Sequence, residues 1–207
     1  MYLPHKFRED RDDVLHKTML EIGAAIIVGH GPDGMIASHV PIELDTGAGP
    51  HGTVRCHLAK ANPQSEAIAG REVLLIFQGP QGYVTPNWYP SKHQTGKAVP
   101  TWNYVAIHAY GTATTFDDSA RLEAHLGAMT DHFESAYQLP WKLEDAPDGY
   151  IEGMCQAIVG IEIEISRLEG KWKLSQNRSE TDANGVINGF RAQGNNAMAD
   201  LVALANE

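Results

Sequence analysis

The chain has 207 residues, of which 43% are hydrophobic and 20% charged, and its formal net charge is −10. This composition is ordinary for a folded soluble protein of one large domain, and no run approaches the roughly 18 apolar residues of a membrane span. An acidic chain must concentrate its cations to bind nucleic acid, whereas here they are scattered. The N-terminus has no apolar run typical of a secretory signal, so we expect a cytoplasmic protein without membrane association.

The N-terminal third predicts one helix followed by strands. Apolar residues at helical spacing over 9–21, with acidic residues at the start, predict an amphipathic helix. Segments 24–29 and 35–44 flank a Gly-Pro-Asp-Gly turn and predict a β-hairpin. A third strand is expected over 52–58, and Asn62 before a proline predicts the N-cap of a short helix.

The middle of the chain predicts a central strand and a long loop. Segment 72–78 is apolar without alternation, as in a strand covered on both faces. Glycine, proline and aromatic residues dominate 79–97, which predicts an ordered loop. Helices are expected over 117–137 and 149–156, and alternating isoleucine and glutamate over 159–166 predict a half-exposed strand.

The C-terminal tail carries turn signals at Asn184-Gly185 and Asn188-Gly189, and 198–204 predicts a short helix. We therefore expect one domain over 1–178, with 179–207 as a turn and short helix packed on it. The pattern favours an α+β, mainly β fold, in which helices surround a mostly antiparallel, closed sheet.

The most informative segment is 99–111, which predicts a strand that is unusually rich in aromatic and hydrogen-bonding side chains. Period two places Trp102, Tyr104, His108 and Tyr110 on one face, and Asn103 with apolar residues on the other. Two interpretations remain open: a core strand whose polar groups are satisfied by neighbours, or the wall of a pocket for a flat heteroaromatic ligand.

Several common kinds of site have no signature here. Cys56 and Cys155 are far apart and predict buried thiols, and the histidines lack metal-ligand spacing, so we expect no metal site. The chain has no nucleophile elbow, P-loop or Rossmann glycine motif. A cofactor, if present, must be held in another way.

The polar residues suit flavin mononucleotide (FMN), which needs a cationic corner for its phosphate and aromatic walls for its rings. His57, Lys60 and Asn62 lie where a strand ends and a helix starts, which favours a phosphate site or a capped turn with an exposed lysine. Candidate ring contacts are Ser38, His39, Trp102 and Asn103. A polar run comprises Lys171, Lys173, Ser175, Gln176 and Asn177, although such runs are usually a solvated face.

The chain resembles the PaiB family of FMN-binding split-barrel proteins, often described as negative transcriptional regulators. The matching segments are MYLP at 1–4, SHVP at 38–41, HLAKANP at 57–63, FQGP at 77–80, WYPSK at 88–92, VPTWNY at 99–104, IVGIE at 158–162 and GKWKLSQNR at 170–178. These matches occur in order over nearly the whole chain.

The resemblance implies a flavin-reductase-like split β-barrel with peripheral helices, forming a homodimer with FMN sites built between subunits. A dimer would also cover loop aromatics such as Trp88 and Tyr89. The resemblance places His57, Lys60 and Asn62 near the phosphate, and Ser38, His39, Trp102 and Asn103 near the rings. Segment 171–176, with Lys171, Lys173, Ser175 and Gln176, is expected to be a lid or a partner-subunit contribution. Lys60 stands where many relatives have arginine. A lysine keeps the positive charge but lacks the guanidinium fork that binds a phosphate through two hydrogen bonds.

Three functions remain open. The family suggests an FMN-binding, redox-sensing transcriptional regulator, but the acidic charge and lack of a helix-turn-helix signal do not support DNA binding. The alternative is an FMN-dependent oxidoreductase acting on an unidentified small molecule, for which no catalytic residue can be assigned from the sequence. The third is flavin storage or sensing without turnover.

Overall fold

The computed structural model describes residues 1–206, which form an eight-stranded sheet and seven α-helices. The strands are β1 (Arg8–Glu9), β2 (Ala24–Gly31), β3 (Gly34–Pro41), β4 (Glu43–Asp45), β5 (Thr53–Ala59), β6 (Glu72–Val84), β7 (Thr101–Phe116) and β8 (Ile158–Lys173). The helices are α1 (Asp12–Ile22), α2 (Gln64–Ile68), α3 (Pro90–Thr95), α4 (Ser119–Glu134), α5 (Tyr150–Cys155), α6 (Glu180–Ala192) and α7 (Asn196–Leu204), with 3-10 turns at Pro86–Trp88 and Leu143–Asp145. None of these helices combines the length and apolarity needed to cross a bilayer.

The sheet has the strand order β3-β2-β6-β7-β8-β5-β4, and β1 pairs with β8. The chain folds into two compact units. Unit 1 comprises residues 1–11, 78–107 and 169 to the end of the described chain, and unit 2 comprises 12–77 and 108–168. The prediction of one domain over 1–178 stays a prediction.

The core of unit 2 follows from the antiparallel register of its strands. Ile27 on β2 lies opposite Leu75 on β6, and both are fully buried, whereas Ser38 lies opposite Ile27 on the other side. The predicted hairpin and third strand are confirmed, and α1 forms within the predicted helix. The segment predicted as one strand over 35–44 is broken at Ile42, so that β4 can pair with β5.

Unit 1 has a separate apolar core, which includes Tyr89, Phe190 and Val202. Helix α6 contributes much of this core, although its Asn-Gly pairs predicted turns. Ser179 caps the helix by accepting a hydrogen bond from the Asp182 backbone N–H at 3.2 Å. The Asp182 carboxylate in turn accepts from the N–H and hydroxyl of Ser91, at 3.0 and 2.6 Å. The turn prediction is therefore wrong, because local capping and apolar burial outweigh glycine's low helix propensity.

Segment 79–97 is only partly a loop. β6 continues to Val84, and a 3-10 turn and α3 follow. Tyr89 is fully buried and Trp88 packs edge-on against Phe190, with ring centroids 5.2 Å apart. The expectation that a dimer partner covers Tyr89 is therefore wrong, because its own unit buries it, whereas for the half-buried Trp88 this expectation stays a prediction.

The predicted alternation along β7 is confirmed. Asn103, Val105, Ile107 and Ala109 are buried, while Trp102 is 45% exposed. The aromatic face of this strand is thus more open than the opposite face, although Ala106 is buried as well.

Candidate functional site

The turn after β5, in unit 2, brings two of the predicted residues together. The Asn62 amide donates to the Ser38 hydroxyl at 3.0 Å, and its side-chain oxygen accepts from the Gln64 backbone N–H at 3.0 Å. The Ser65 hydroxyl also donates to the Asn62 carbonyl at 3.0 Å. These bonds fix the turn that carries Lys60, as the Asn-Pro signal predicts.

Lys60 is exposed and lines a cavity of about 540 Å³ in unit 2. The cavity wall also includes Ser65, Glu66 and Asp117. The Lys60 backbone N–H is bonded to the Ala157 carbonyl at 2.9 Å, which anchors the residue while leaving its side chain at the cavity. Lys60 thus offers a cation where a phosphate can enter.

Gln64 is a buried residue of this turn that the sequence did not single out. Its amide nitrogen donates to the carbonyls of Ile27 and Ile36, at 2.9 and 3.3 Å. Its side-chain oxygen is buried and has no hydrogen-bond partner within residues 1–206. An orphaned buried acceptor is costly, and a donor on a bound molecule would satisfy it.

His39 does not join this group. It is exposed on β3 and lies opposite Ile26, whereas its neighbour Ser38 lies opposite the buried Ile27. Successive strand residues point to opposite faces, so the structure separates His39 from the Ser38–Asn62 pair.

His57 belongs to a chain of polar contacts on β5, α4 and β4. Its Nδ1 is 3.1 Å from Nε2 of His125, and the His125 Nδ1 is 2.7 Å from Oε2 of Glu43. The other Glu43 oxygen accepts from Arg55 at 3.0 Å, and Arg55 donates to Glu162 at 2.7 Å. His125 is only 2% exposed, whereas Glu43, Arg55 and Glu162 are half-buried, so the buried histidine links His57 to a partly exposed ionic cluster.

The electrostatics of this chain keep Glu43 ionised. Burial acts to raise the pKa of Glu43, but hydrogen bonds from His125 and Arg55 outweigh it and hold that pKa below its ordinary value. Burial first, and then the neighbouring His125, lower the pKa of His57. At neutral pH His57 is therefore a neutral ring, and Glu43 is ionised.

His125 and Glu43 were missed in the sequence because they are 82 residues apart and have no motif. One signal was present. His125 lies three residues after Leu122 and one before Leu126, on the apolar stripe by which α4 packs inward. A histidine on the buried face of a helix needs a polar partner, and Glu43 is that partner.

A second polar group lies in unit 1. The ammonium of Lys171 donates to the Tyr2 carbonyl at 2.9 Å and lies 5.4 Å from the centre of the Tyr104 ring. Lys171 is 8% exposed, so the alternative of a solvated face does not hold for this residue, and its predicted role as a flavin contact stays a prediction. Lys173 donates to the Thr101 hydroxyl at 2.5 Å and to the Trp102 carbonyl at 2.8 Å.

These two lysines are cations without a matched anion. Within residues 1–206 neither forms an ion pair with a carboxylate. Burial, followed by Lys171 and Arg178, lowers the pKa of Lys173. Burying an ammonium without a counter-charge is unfavourable, so this group suits an anionic ligand.

Neighbouring polar residues of unit 1 are held by the chain itself. Buried Asn103 donates to the buried Ser175 hydroxyl at 2.9 Å, and the Gln176 side chain bonds to the backbone of Leu174 and Trp172, at 2.8 and 2.6 Å. Ser175 has a φ of 69°, which is the left-handed region that disfavours side chains other than glycine. Such strain often marks a functional position.

The predicted residues thus fall into one set in each unit. Unit 2 holds Ser38, His39, His57, Lys60 and Asn62, and unit 1 holds Trp102, Asn103, Lys171, Lys173, Ser175 and Gln176. The residues fit FMN in kind, because they offer free cations for a phosphate and an orphaned buried acceptor for a donor.

Comparison with known proteins decides the family. Residues 1–167 match the family model described as "Putative FMN-binding domain". The chain is also 31% identical over 206 residues to "Protease synthase and sporulation protein PAI 2" of Bacillus subtilis, a match that spans 98% of this chain and 96% of the relative. The chain belongs to the PaiB family of FMN-binding proteins.

Other relatives agree with this assignment. An uncharacterised protein of Emericella nidulans is 38% identical over 203 residues, covering 83% of the PaiB-family chain described here and 81% of the relative. The flavocytochrome Anf3 of Azotobacter vinelandii has a similar structure, with a TM-score of 0.66 over 87% of this chain and 76% of that one, at 13% identity. The predicted fold, a mainly β split barrel with peripheral helices, is confirmed, and FMN is the cofactor of the family domain.

Proposed function

We propose that this PaiB-family protein is a homodimeric flavoprotein of the cytoplasm that uses the redox state of bound FMN. The observation that carries the proposal is the free ammonium of Lys60 at a polar cavity, in a chain that matches an FMN-binding family over residues 1–167. Within unit 2, His57, Lys60 and Asn62 hold the phosphate, and Ser38 and His39 contact the remainder of the cofactor.

Within unit 1, we assign flavin contacts to Trp102, Asn103, Lys171, Lys173, Ser175 and Gln176. Lys171 and Lys173 support this assignment, because both are cations without a carboxylate partner in the described chain. Their role is to neutralise negative charge, including that of a reduced flavin. The buried Asn103–Ser175 pair would then fix the backbone around them.

Bound FMN supplies one- and two-electron transfer, and the chain's residues bind and orient it. The first candidate function is an oxidoreductase acting on a small molecule. It is favoured by the half-open aromatic face of β7, where Trp102 is 45% exposed and its ring lies 6.1 Å from that of Tyr83. A flat substrate or flavin ring can stack on such a face.

The second candidate is a redox-sensing regulator of the PaiB type, supported by the identity to PAI 2 across 98% of this chain. The C-terminal α6 and α7 are joined by the three residues 193–195, a helix–turn–helix arrangement that the sequence did not predict. Over 179–206 the only cationic side chain is Arg191, against Glu180, Asp182 and Asp200. These helices lack the cations that DNA phosphates require, so regulation would proceed without DNA contacts from this segment.

The proposal is tested by titrating the flavin-free protein with FMN and following the flavin fluorescence. Saturable binding of one FMN per chain is expected, with riboflavin bound more weakly because it lacks the phosphate. Anaerobic bleaching of bound FMN by NADH or NADPH, followed by reoxidation with a small-molecule acceptor, supports the oxidoreductase. Failure to bind FMN would overturn the proposal, and binding without reduction would leave storage or sensing as its function.

A further inference from the structure

The contacts of the two histidines suit one arrangement of their protons. Glu43 is ionised, so its Oε2 accepts from Nδ1–H of His125 at 2.7 Å. With its Nδ1 protonated and its Nε2 unprotonated, His125 accepts from Nδ1–H of His57 at 3.1 Å. Under this arrangement the His57 Nε2 carries no proton and can only accept.

Adding one proton to Nε2 of His57 changes this atom from a hydrogen-bond acceptor to a donor. With a proton on Nε2, His57 becomes a donor toward any anion placed there, and the positive charge can pass along the hydrogen bond to His125, next to Glu43. The half-buried His57 ring has no protein partner for Nε2 within residues 1–206. Nε2 is therefore the atom of this chain of contacts that is available to a bound group.

We propose that Glu43 and His125 are positioning residues that make His57 a proton-gated phosphate ligand, so that binding of the FMN phosphate takes up one proton. This inference rests on the proposed function, because it assumes that the FMN phosphate lies at the turn after β5. His57 touches the cofactor, whereas Glu43 and His125 act through it.

Other charges around His57 do not supply the same donor. Arg55 is engaged by Glu43 and Glu162, and Arg121 by Glu162 at 3.4 Å. Other charged groups near this site are Asp45 on β4, Lys60 after β5, and Glu66 and Asp117 at the cavity of Lys60, together with the carboxylates Glu123, Asp131 and Glu134 on α4 and Glu164 on β8. Of these, Lys60 alone is a cation, so a dianionic phosphate gains from a second positive charge at His57.

The pH dependence follows from the sign of this linkage. Burial and His125 lower the pKa of His57 in the free protein, whereas a phosphate bound at its Nε2 would raise that pKa. FMN affinity is therefore full below the free-state pKa and falls by up to tenfold per pH unit above it, until the pH passes the bound-state pKa. Riboflavin has no phosphate and should show no such fall.

Calorimetry of the flavin-free protein at pH 7.5, in two buffers of different ionisation enthalpy, measures the proton uptake. We expect up to one proton taken up per FMN and none per riboflavin. His57→Gln and His125→Gln should abolish the uptake, and Glu43→Gln should reduce it. His51→Gln is the matched control, because His51 also pairs with a carboxylate, that of Asp12 at 3.0 Å, on another part of unit 2; it should leave the uptake unchanged.

Nitrogen NMR of the histidine rings reports which ring nitrogen is protonated. If the two histidines had only a structural role, this protonation would not change when FMN binds. In the flavin-free protein both His57 and His125 should be protonated on Nδ1 alone, and FMN should convert the pair to its protonated form. FMN that binds tightly without proton uptake, or a free His57 protonated on Nε2, would overturn the inference and leave the proposed function intact. Absence of FMN binding would overturn both.

Discussion

At the scale of single residues, substitution of Lys60 is the most direct test of the proposed phosphate contact. Lys60→Gln removes the only cation at its cavity, and a charge-assisted hydrogen bond contributes about 1.5–3 kcal/mol. We expect FMN affinity to fall roughly 10- to 100-fold while riboflavin affinity stays unchanged, as measured by fluorescence titration. Lys60→Arg should tighten FMN binding, because a guanidinium can bind phosphate through two parallel hydrogen bonds.

Lys97→Gln is the control for this variant, because Lys97 is also exposed but belongs to unit 1 and does not line the cavity of Lys60. It should bind FMN as the wild type does. An equal loss of FMN and riboflavin affinity in Lys60→Gln would mean that this lysine supports the fold of the turn and does not contact a phosphate.

The residue scale also shows which parts of the site a sequence can reveal. Asn62 was predicted because an Asn-Pro turn is local, whereas its bond to Ser38, 24 residues earlier in the chain, depends on the fold. Gln64 and His125 were missed because their roles depend on partners that only the folded chain supplies, such as the Ile27 carbonyl and Glu43. Burial of Lys171 also decides against a solvated face, the alternative that the sequence left open for its polar run.

At the scale of elements, the strands were predicted better than the C-terminal helices. Alternation or unbroken apolarity identified β5, β7 and the first half of β6. Helix α6 was missed because its glycines are turn residues by propensity but serve close packing in the structure. A Cβ atom at Gly189 would lie 2.2 Å from the Trp88 ring, so glycine is needed for Trp88 to approach the helix.

Gly185 provides the test of this packing. A Cβ at this position would lie 1.9 Å from the Trp88 carbonyl oxygen, a backbone atom that cannot move away cheaply. Glycine to alanine inside a helix usually adds about 0.5–1 kcal/mol of stability, whereas overpacking typically costs about 1–3 kcal/mol. We expect Gly185→Ala to lower the free energy of unfolding by about 2 kcal/mol in urea titrations.

The matched control is Gly127→Ala on α4, where the nearest atom would be Leu143 Cδ1 at 3.5 Å, an ordinary contact. This variant should be as stable as the wild type or more stable. If Gly185→Ala were also stabilising, the close approach of Trp88 to α6 would not exist in solution.

At the scale of the whole molecule, charge separates the two functional candidates. A net charge of −10 repels DNA unless cations are concentrated, and the C-terminal helices do not concentrate them. A redox protein has no such requirement, because a small anionic cofactor needs only a few cations, such as the buried Lys171 proposed above. The molecule as a whole therefore agrees better with small-molecule chemistry than with direct DNA contact.

The proposed homodimer has a candidate contact in unit 1, where the rings of Tyr83 and Trp102 lie 6.1 Å apart and are 50% and 45% exposed. Paired exposed aromatics are typical of interfaces. Sedimentation should give twice the 22.6 kDa mass of the chain. Tyr83→Glu should shift the protein toward monomer, whereas Leu139→Glu, at a 91% exposed site in unit 2, should not.

The Tyr83→Glu variant also tests whether the flavin site needs residues of both subunits. If each FMN contacts both subunits, mass action makes its apparent affinity depend on protein concentration, because dilution removes the binding-competent dimer. Wild-type protein diluted below its dimer dissociation constant should then bind FMN as weakly as Tyr83→Glu does, in fluorescence titrations at several concentrations. A monomeric Tyr83→Glu with wild-type FMN affinity would place every flavin contact within one chain.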